Sequence, residues 1–139
     1  MIVIVKAEEK WNKTGIVLEK GKTYKFEARG EWVDKDYPVD AKGFTTEQYY
    51  EKHPSELIRI LMGFLEKFRR IPQANWFALI GTIGKTTKTH FVIGTEKTYK
   101  AVEDGELFCF ANDVSFAYGN NKGELELEVI KIEDSIRKE

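Results

Sequence analysis

Cysteine occurs once in the 139 residues, no apolar run approaches the ~20 residues needed to span a bilayer, and neither sign of charge prevails. Each of these absences excludes something. Cys109 has no partner for an internal disulfide, and its neighbours Leu107, Phe108 and Phe110 mark it as a small buried hydrophobe rather than a reactive thiol. The 22 basic residues against 23 acidic ones set up no field that would draw in nucleic acid or anionic lipid, so neither is expected as a partner. The amino-terminal run Ile2-Val3-Ile4-Val5 is far shorter than the centre of a signal peptide and lacks a basic lead. It reads as a first strand, and the expected location is the cytoplasm or, by a non-standard route, outside it. A phosphate-cradling glycine loop, a serine elbow, a nucleotide fingerprint and a placed acid–base pair are missing too, so a non-catalytic role is expected.

What is present suits one core. A chain that is 42% hydrophobic and 13% aromatic at this length predicts a single domain over residues 1–139. Alternation is the commonest pattern: Tyr24-Lys25-Phe26-Glu27-Ala28-Arg29 and Glu124-Leu125-Glu126-Leu127-Glu128-Val129 each have one wet and one dry face. Residues 76–83 and 91–93 are more continuously apolar, as in strands covered on both sides. Turn signals fall at Gly21, Gly84, Asp104-Gly105 and Asn120-Asn121-Lys122-Gly123. Short strands with such punctuation predict an all-β fold, a β-sandwich of two antiparallel sheets.

One segment departs from this. Leu57, Ile58, Ile60, Leu61, Phe64, Leu65 and Phe68 follow helical spacing and predict an inserted α-helix over about 55–70, N-capped by Ser55 and ended by Arg69-Arg70 before Pro72. A shorter helix is expected before it, opened by a capping box between Thr45 and Gln48, so the helical insertion occupies about 45–72. The apolar face of the longer helix is expected to pack on the sandwich, with a surface for a partner protein or a homo-oligomer as the alternative.

The segment 112–123 concentrates oxygen donors between two strands. Asp113, Asn120 and Asn121 offer three side chains of the type calcium prefers, and Gly119 and Gly123 allow a tight backbone. Such composition also describes an ordinary turn. Trp11, Trp32 and Trp76 are expected in the core, His90 at the surface, and Glu124, Glu126 and Glu128 on a solvated face.

Asn112-Asp113-Val114, Tyr118-Gly119-Asn120-Asn121 and Gly123, with Phe77 to Gly84, Gly30-Glu31-Trp32 and Gly15 to Gly21 in the same order, resemble the PA-IL-type galactophilic lectins of bacteria. The resemblance covers most of the chain outside residues 36–74. It implies a jelly-roll, galactose-binding-like β-sandwich that acts as a calcium-dependent, galactose-type carbohydrate-binding module. It further implies calcium ligands at Asp113, Asn120 and Asn121 through side chains and at Ala117 through its carbonyl. One more carbonyl is implied after Trp32, by count Lys35, or Asp34 or Asp36 if one residue is inserted. Two sugar hydroxyls complete the metal shell in that family, which places Asp113 and Asn120 against the sugar. His53-Pro54 resembles the family's histidine–proline pair, whose histidine touches the sugar; the alternative is a surface histidine ahead of the helix. Ser115-Phe116 and Ala117 stand where the family has Pro-Gly and a threonine, so Phe116 is expected to restrict or reshape the pocket. The alternative reading of the whole chain keeps the sandwich, loses the sugar, and uses the inserted helix for association.

Overall fold

The computed structural model describes residues 1–52 and 56–132. Among the described residues, ten strands form two antiparallel sheets. In the first, β10 (Asn121–Ile132) is the longest strand and pairs on both edges. β1 (Ile2–Lys6) lies along one edge. Along the other, β3 (Thr23–Arg29) and β4 (Trp32–Asp34) follow one another in a single register, from Ile132 opposite Thr23 to Asn121 opposite Asp34. β5 (Tyr37–Val39) returns from β4 through a tight hairpin, and β8 (Glu96–Lys100) flanks β3. The second sheet runs β2 (Asn12–Leu18), β9 (Gly105–Ala111), β6 (Leu79–Ile83) and β7 (Phe91–Val92).

The alternation read in the sequence becomes the core. Tyr24, Phe26 and Ala28 point inward with Leu125, Leu127 and Val129, and meet Leu79, Ile83, Leu107 and Cys109 of the other sheet. Phe26 and Phe91 meet edge to face with centroids 5.5 Å apart. Burying each such large side chain contributes about 2–3 kcal/mol. The outward alternates are solvated: Arg29 Nε donates to Glu126 at 3.0 Å and Nη2 to Glu128 at 3.2 Å, so the acidic stripe of β10 is an ion-paired wet face. β6 is buried on both sides because residues 69–78 cover its outer face, where Ile71, Ala74, Ala78, Ile80 and Phe110 form a second small cluster. Half-buried Trp11 borders that cluster, and the Arg70 guanidinium lies 3.5 Å from the Phe110 ring centre. Trp32 and Trp76 belong to the main core.

The insertion between β5 and β6 holds the two expected helices, the second of them shorter than the spacing predicts. In α1 (Thr46–Lys52) the capping box forms as expected: Gln48 N donates to Thr45 Oγ1 at 3.1 Å, and Thr45 N donates to Gln48 Oε1 at 2.9 Å. α2 (Glu56–Leu65) runs on into a single 3₁₀ turn at Glu66–Phe68. The expected cap at Ser55 lies outside the described residues. The start and end of the insertion are pinned by isolated bridges of Phe44 with Trp76 and Arg69 with Val114. Gly43 makes the first possible, since a Cβ there would sit 2.2 Å from the Trp76 carbonyl oxygen.

The expectation that the apolar face of α2 packs on the sandwich is overturned. Leu57, Ile60, Leu61, Phe64 and Phe68 are all more than half exposed, while Leu65 is packed against the core. The periodicity is real. These five side chains face water, and Phe44, Tyr49 and Trp76 fill the seam between insertion and sheet.

Candidate functional site

The loop from β9 to β10 spans residues 112–120, three shorter than the oxygen-rich segment of the sequence, because Asn121, Lys122 and Gly123 are already paired with β4. Its shape is set at Asn112, which is fully buried. The Asn112 Nδ2 donates to the carbonyls of Ile71 at 2.9 Å, Ala74 at 3.1 Å and Asn75 at 3.0 Å, and its Oδ1 accepts from Ile71 N at 3.0 Å. With every polar atom engaged, Asn112 is a clamp and has nothing left for a ligand.

Tyr118 braces the other end. Its hydroxyl donates to the Ala111 carbonyl and accepts from Arg70 Nη1 at 2.9 Å. Burial pushes that hydroxyl up to about 12, against the opposing pull of Arg70. Asn112 and Tyr118, like the glycines, belong to the most recognisable stretch of the sequence, and their part is to hold the loop.

Between these braces lies Asp113, 5% exposed. Its Oδ1 accepts from Val114 N at 2.7 Å, and its carboxylate also accepts from the Asn121 amide. Burial pushes the Asp113 carboxyl up to about 6, and the carboxylate of Asp34 adds to the rise. Asn121, 3% exposed, donates through Nδ2 to the Ala7 carbonyl at 3.1 Å. Because a carbonyl only accepts, that bond fixes the amide's orientation, and Asn121 Oδ1 is then buried with no donor.

The remaining expected residues fall as follows. Asn120 is exposed, and its carbonyl accepts from Lys35 N at 3.2 Å, which joins the loop to the β4–β5 hairpin. Lys35 takes the first turn position of that hairpin with φ of 58°, a conformation that costs a residue with a side chain about 1 kcal/mol or more. Ala117 is half-buried, its N–H donating to the Val114 carbonyl at 3.1 Å. The structure therefore brings Asp113 and Asn121 together directly and joins Asn120 to Lys35 beside them. His53 lies outside the described residues. Phe116 is 72% exposed in the loop.

Two residues of the site escaped the sequence reading as side chains. Asp34 is 7% exposed and stands opposite Asn121. A signal was there: in Trp32-Val33-Asp34 the strand alternation puts the acid on the same side as a tryptophan. Tyr49 reaches over from α1, donates its hydroxyl to Asp34, and stacks its ring on Trp76 at 4.9 Å with 10° between the planes. Burial, followed by the two carboxylates, drives the Tyr49 hydroxyl far above the ordinary range, so it stays a donor.

A buried donor-poor cluster of carboxylate and amide oxygens fits a hard cation by its chemistry, and the orphaned Asn121 Oδ1 is the atom that a cation would satisfy. Elsewhere the candidates are inert. Cys109 is fully buried and its thiol pushed well above its ordinary range, and the Nδ1 of exposed His90 donates to the Thr87 carbonyl, 2.7 Å away.

A family model described as "PA-IL-like protein" matches residues 67–135. Among solved structures, the chain is similar to "EclA N-terminal domain; PllA-like lectin", with a TM-score of 0.62 at 18% identity, covering 94% of this chain and 95% of that one. No curated protein sequence matches the chain.

Proposed function

This chain is PA-IL-like over residues 67–135, and from that premise we propose that it is a calcium-dependent carbohydrate-binding module for galactose-type sugars. Asp113 and Asn121 would hold the ion through buried side-chain oxygens, Asn120 through its exposed amide, and Ala117 and Lys35 through main-chain carbonyls. When bound, the ion supplies open coordination positions to which a pair of adjacent sugar hydroxyls is suited, since a diol replaces two waters with little loss of entropy. The chain's own part is to prepare these oxygens. Asn112 and Tyr118 lock the loop before any ligand arrives, and Lys35 and Asn120 couple the hairpin to it, so little ordering remains to oppose binding.

One observation carries the reading: Asn121 Oδ1, buried without a donor, beside the carboxylate of Asp113. Isothermal titration with calcium and then with galactose, against Asp113→Ala, tests it. Sugar affinity is expected only with calcium present and only in the native chain. Galactose binding that survives a chelator, or an Asp113→Ala chain with native calcium affinity, would sink it.

The exposed apolar face of α2 supports a second role alongside the first, association of copies of the chain or capture of a protein partner. Contiguous exposed apolar side chains of this kind mark interaction surfaces. Light scattering that shows a monomer at all concentrations would remove the association of copies.

A further inference from the structure

β4 delivers a second carboxylate to the same cluster. Asp34 and Asn121 are register partners in an antiparallel pair, which puts their side chains on one face with Cβ atoms about 5 Å apart. Asp34, Asp113 and Asn121 are 7%, 5% and 3% exposed, so all three lie inside the protein. The Asn121 amide nitrogen is spent on the Ala7 carbonyl and on Asp113, and its oxygen is left without a donor. Two carboxylates beside an unsatisfied amide oxygen make a cradle of acceptors, whose charge a divalent cation would neutralise.

Asp34 is also held still. The Tyr49 hydroxyl donates to it, and the Tyr49 ring is fixed flat on Trp76. An outer hydrogen bond of this kind orients a ligating carboxylate and leaves its other lone pairs available. Tyr49 comes from α1, so the insertion itself reaches the cation site.

We propose that Asp34 is a direct anionic ligand of the divalent cation, sharing it with Asp113, and that Tyr49 is the residue that positions it. This rests on the reading that the loop of residues 112–120 holds a cation. A site with one carboxylate belongs to the weak end of calcium affinity, near ~10⁻⁴ M, and a second carboxylate moves it to tighter binding.

The test uses the full chain freed of metal by chelator, titrated with calcium by calorimetry and with terbium by luminescence. Native chain is expected to bind one ion. Asp34→Asn keeps an oxygen for Tyr49 and removes only the charge. It is expected to weaken calcium by about tenfold or more, and terbium by a larger factor, because a trivalent ion loses more Coulomb energy per charge removed. A merely structural Asp34 would move both ions by the same factor. Tyr49→Phe is expected to weaken both a few-fold at unchanged stoichiometry. If Asp34→Asn melts early without metal, Asp34→Ser carries the same comparison.

Equal affinities in the native and Asp34→Asn chains, with binding abolished in Asp113→Asn, would overturn the role of Asp34 and leave the cation site intact. A native chain that binds neither ion would overturn both.

Discussion

Asn112 and Ile71 exchange two hydrogen bonds, Oδ1 accepting from Ile71 N at 3.0 Å and Nδ2 donating to Ile71 O at 2.9 Å, although they lie 41 residues apart. An asparagine side chain thereby plays the part of a β-ladder partner. It ties the segment that leaves the insertion to the first residue of the proposed binding loop. Asp113, the next residue of the loop, is then placed relative to the second sheet by bonds that do not touch it.

Replacing that side chain should therefore cost stability and binding together. Asn112→Ala removes four hydrogen bonds in a fully buried position and leaves Ile71 N without its acceptor, while the Ile71 and Asn75 carbonyls keep the N–H groups of Ala74 and Ala78. At about 1 kcal/mol for each lost bond, destabilisation of about 3–5 kcal/mol is expected in urea unfolding. Calcium affinity should fall as well, since the loop starts one residue later. A loss below about 1 kcal/mol would mean that the clamp is replaced by solvent.

Stability should also fall as pH rises through the range where Asp113 ionises. Its folded-state carboxyl titrates at about 6, above its ordinary value of 3.8, so the folded chain holds this proton more tightly than the unfolded chain. The favourable contribution is thus complete below about pH 4 and lost as pH climbs through about 6, on the order of 2–3 kcal/mol in all. Unfolding free energies measured from pH 4 to 7 in chelator should show that decline, and Asp113→Asn should flatten it. Saturating calcium should reverse it, because the ion binds the ionised form. A native chain whose stability over this range matches that of Asp113→Asn would mean that Asp113 is not desolvated.

How far the sequence revealed this arrangement depends on the kind of signal. Tyr24, Phe26 and Ala28 alternate with charged residues, and period two is enough to place them inside whatever their partners. Thr45 and Gln48 cap α1 through bonds within four residues, which a local pattern can specify. The face of α2 shows the limit. Spacing says that Leu57, Ile60, Leu61 and Phe64 share a side, but what covers that side is decided elsewhere in the chain, and here Tyr49 and Trp76 occupy the seam first. Asn121 looked like loop because amide residues favour turns, yet pairing with β4 makes it strand. Asp34 and Tyr49 reach Asp113 from two other elements, across sequence distances that no local pattern encodes.

Phe116 separates metal binding from sugar binding. It is 72% exposed and stands where the resembled family has a small residue, so truncation removes little packing. Asp113 and Asn121 lie inside the protein and take none of their bonds from it. Phe116→Ala should accordingly leave both the melting temperature and calcium affinity unchanged. An aromatic ring at the rim of a sugar site presents a flat apolar surface to the C–H face of the sugar, worth about 1 kcal/mol, so galactose affinity should fall about fivefold. Calorimetry with calcium alone and then with galactose reads the two effects apart. If the alanine chain binds sugar more tightly, the ring obstructs the site, and the preferred ligand is then a sugar that approaches from the side of the β4–β5 hairpin, where Lys35 and Asn120 meet.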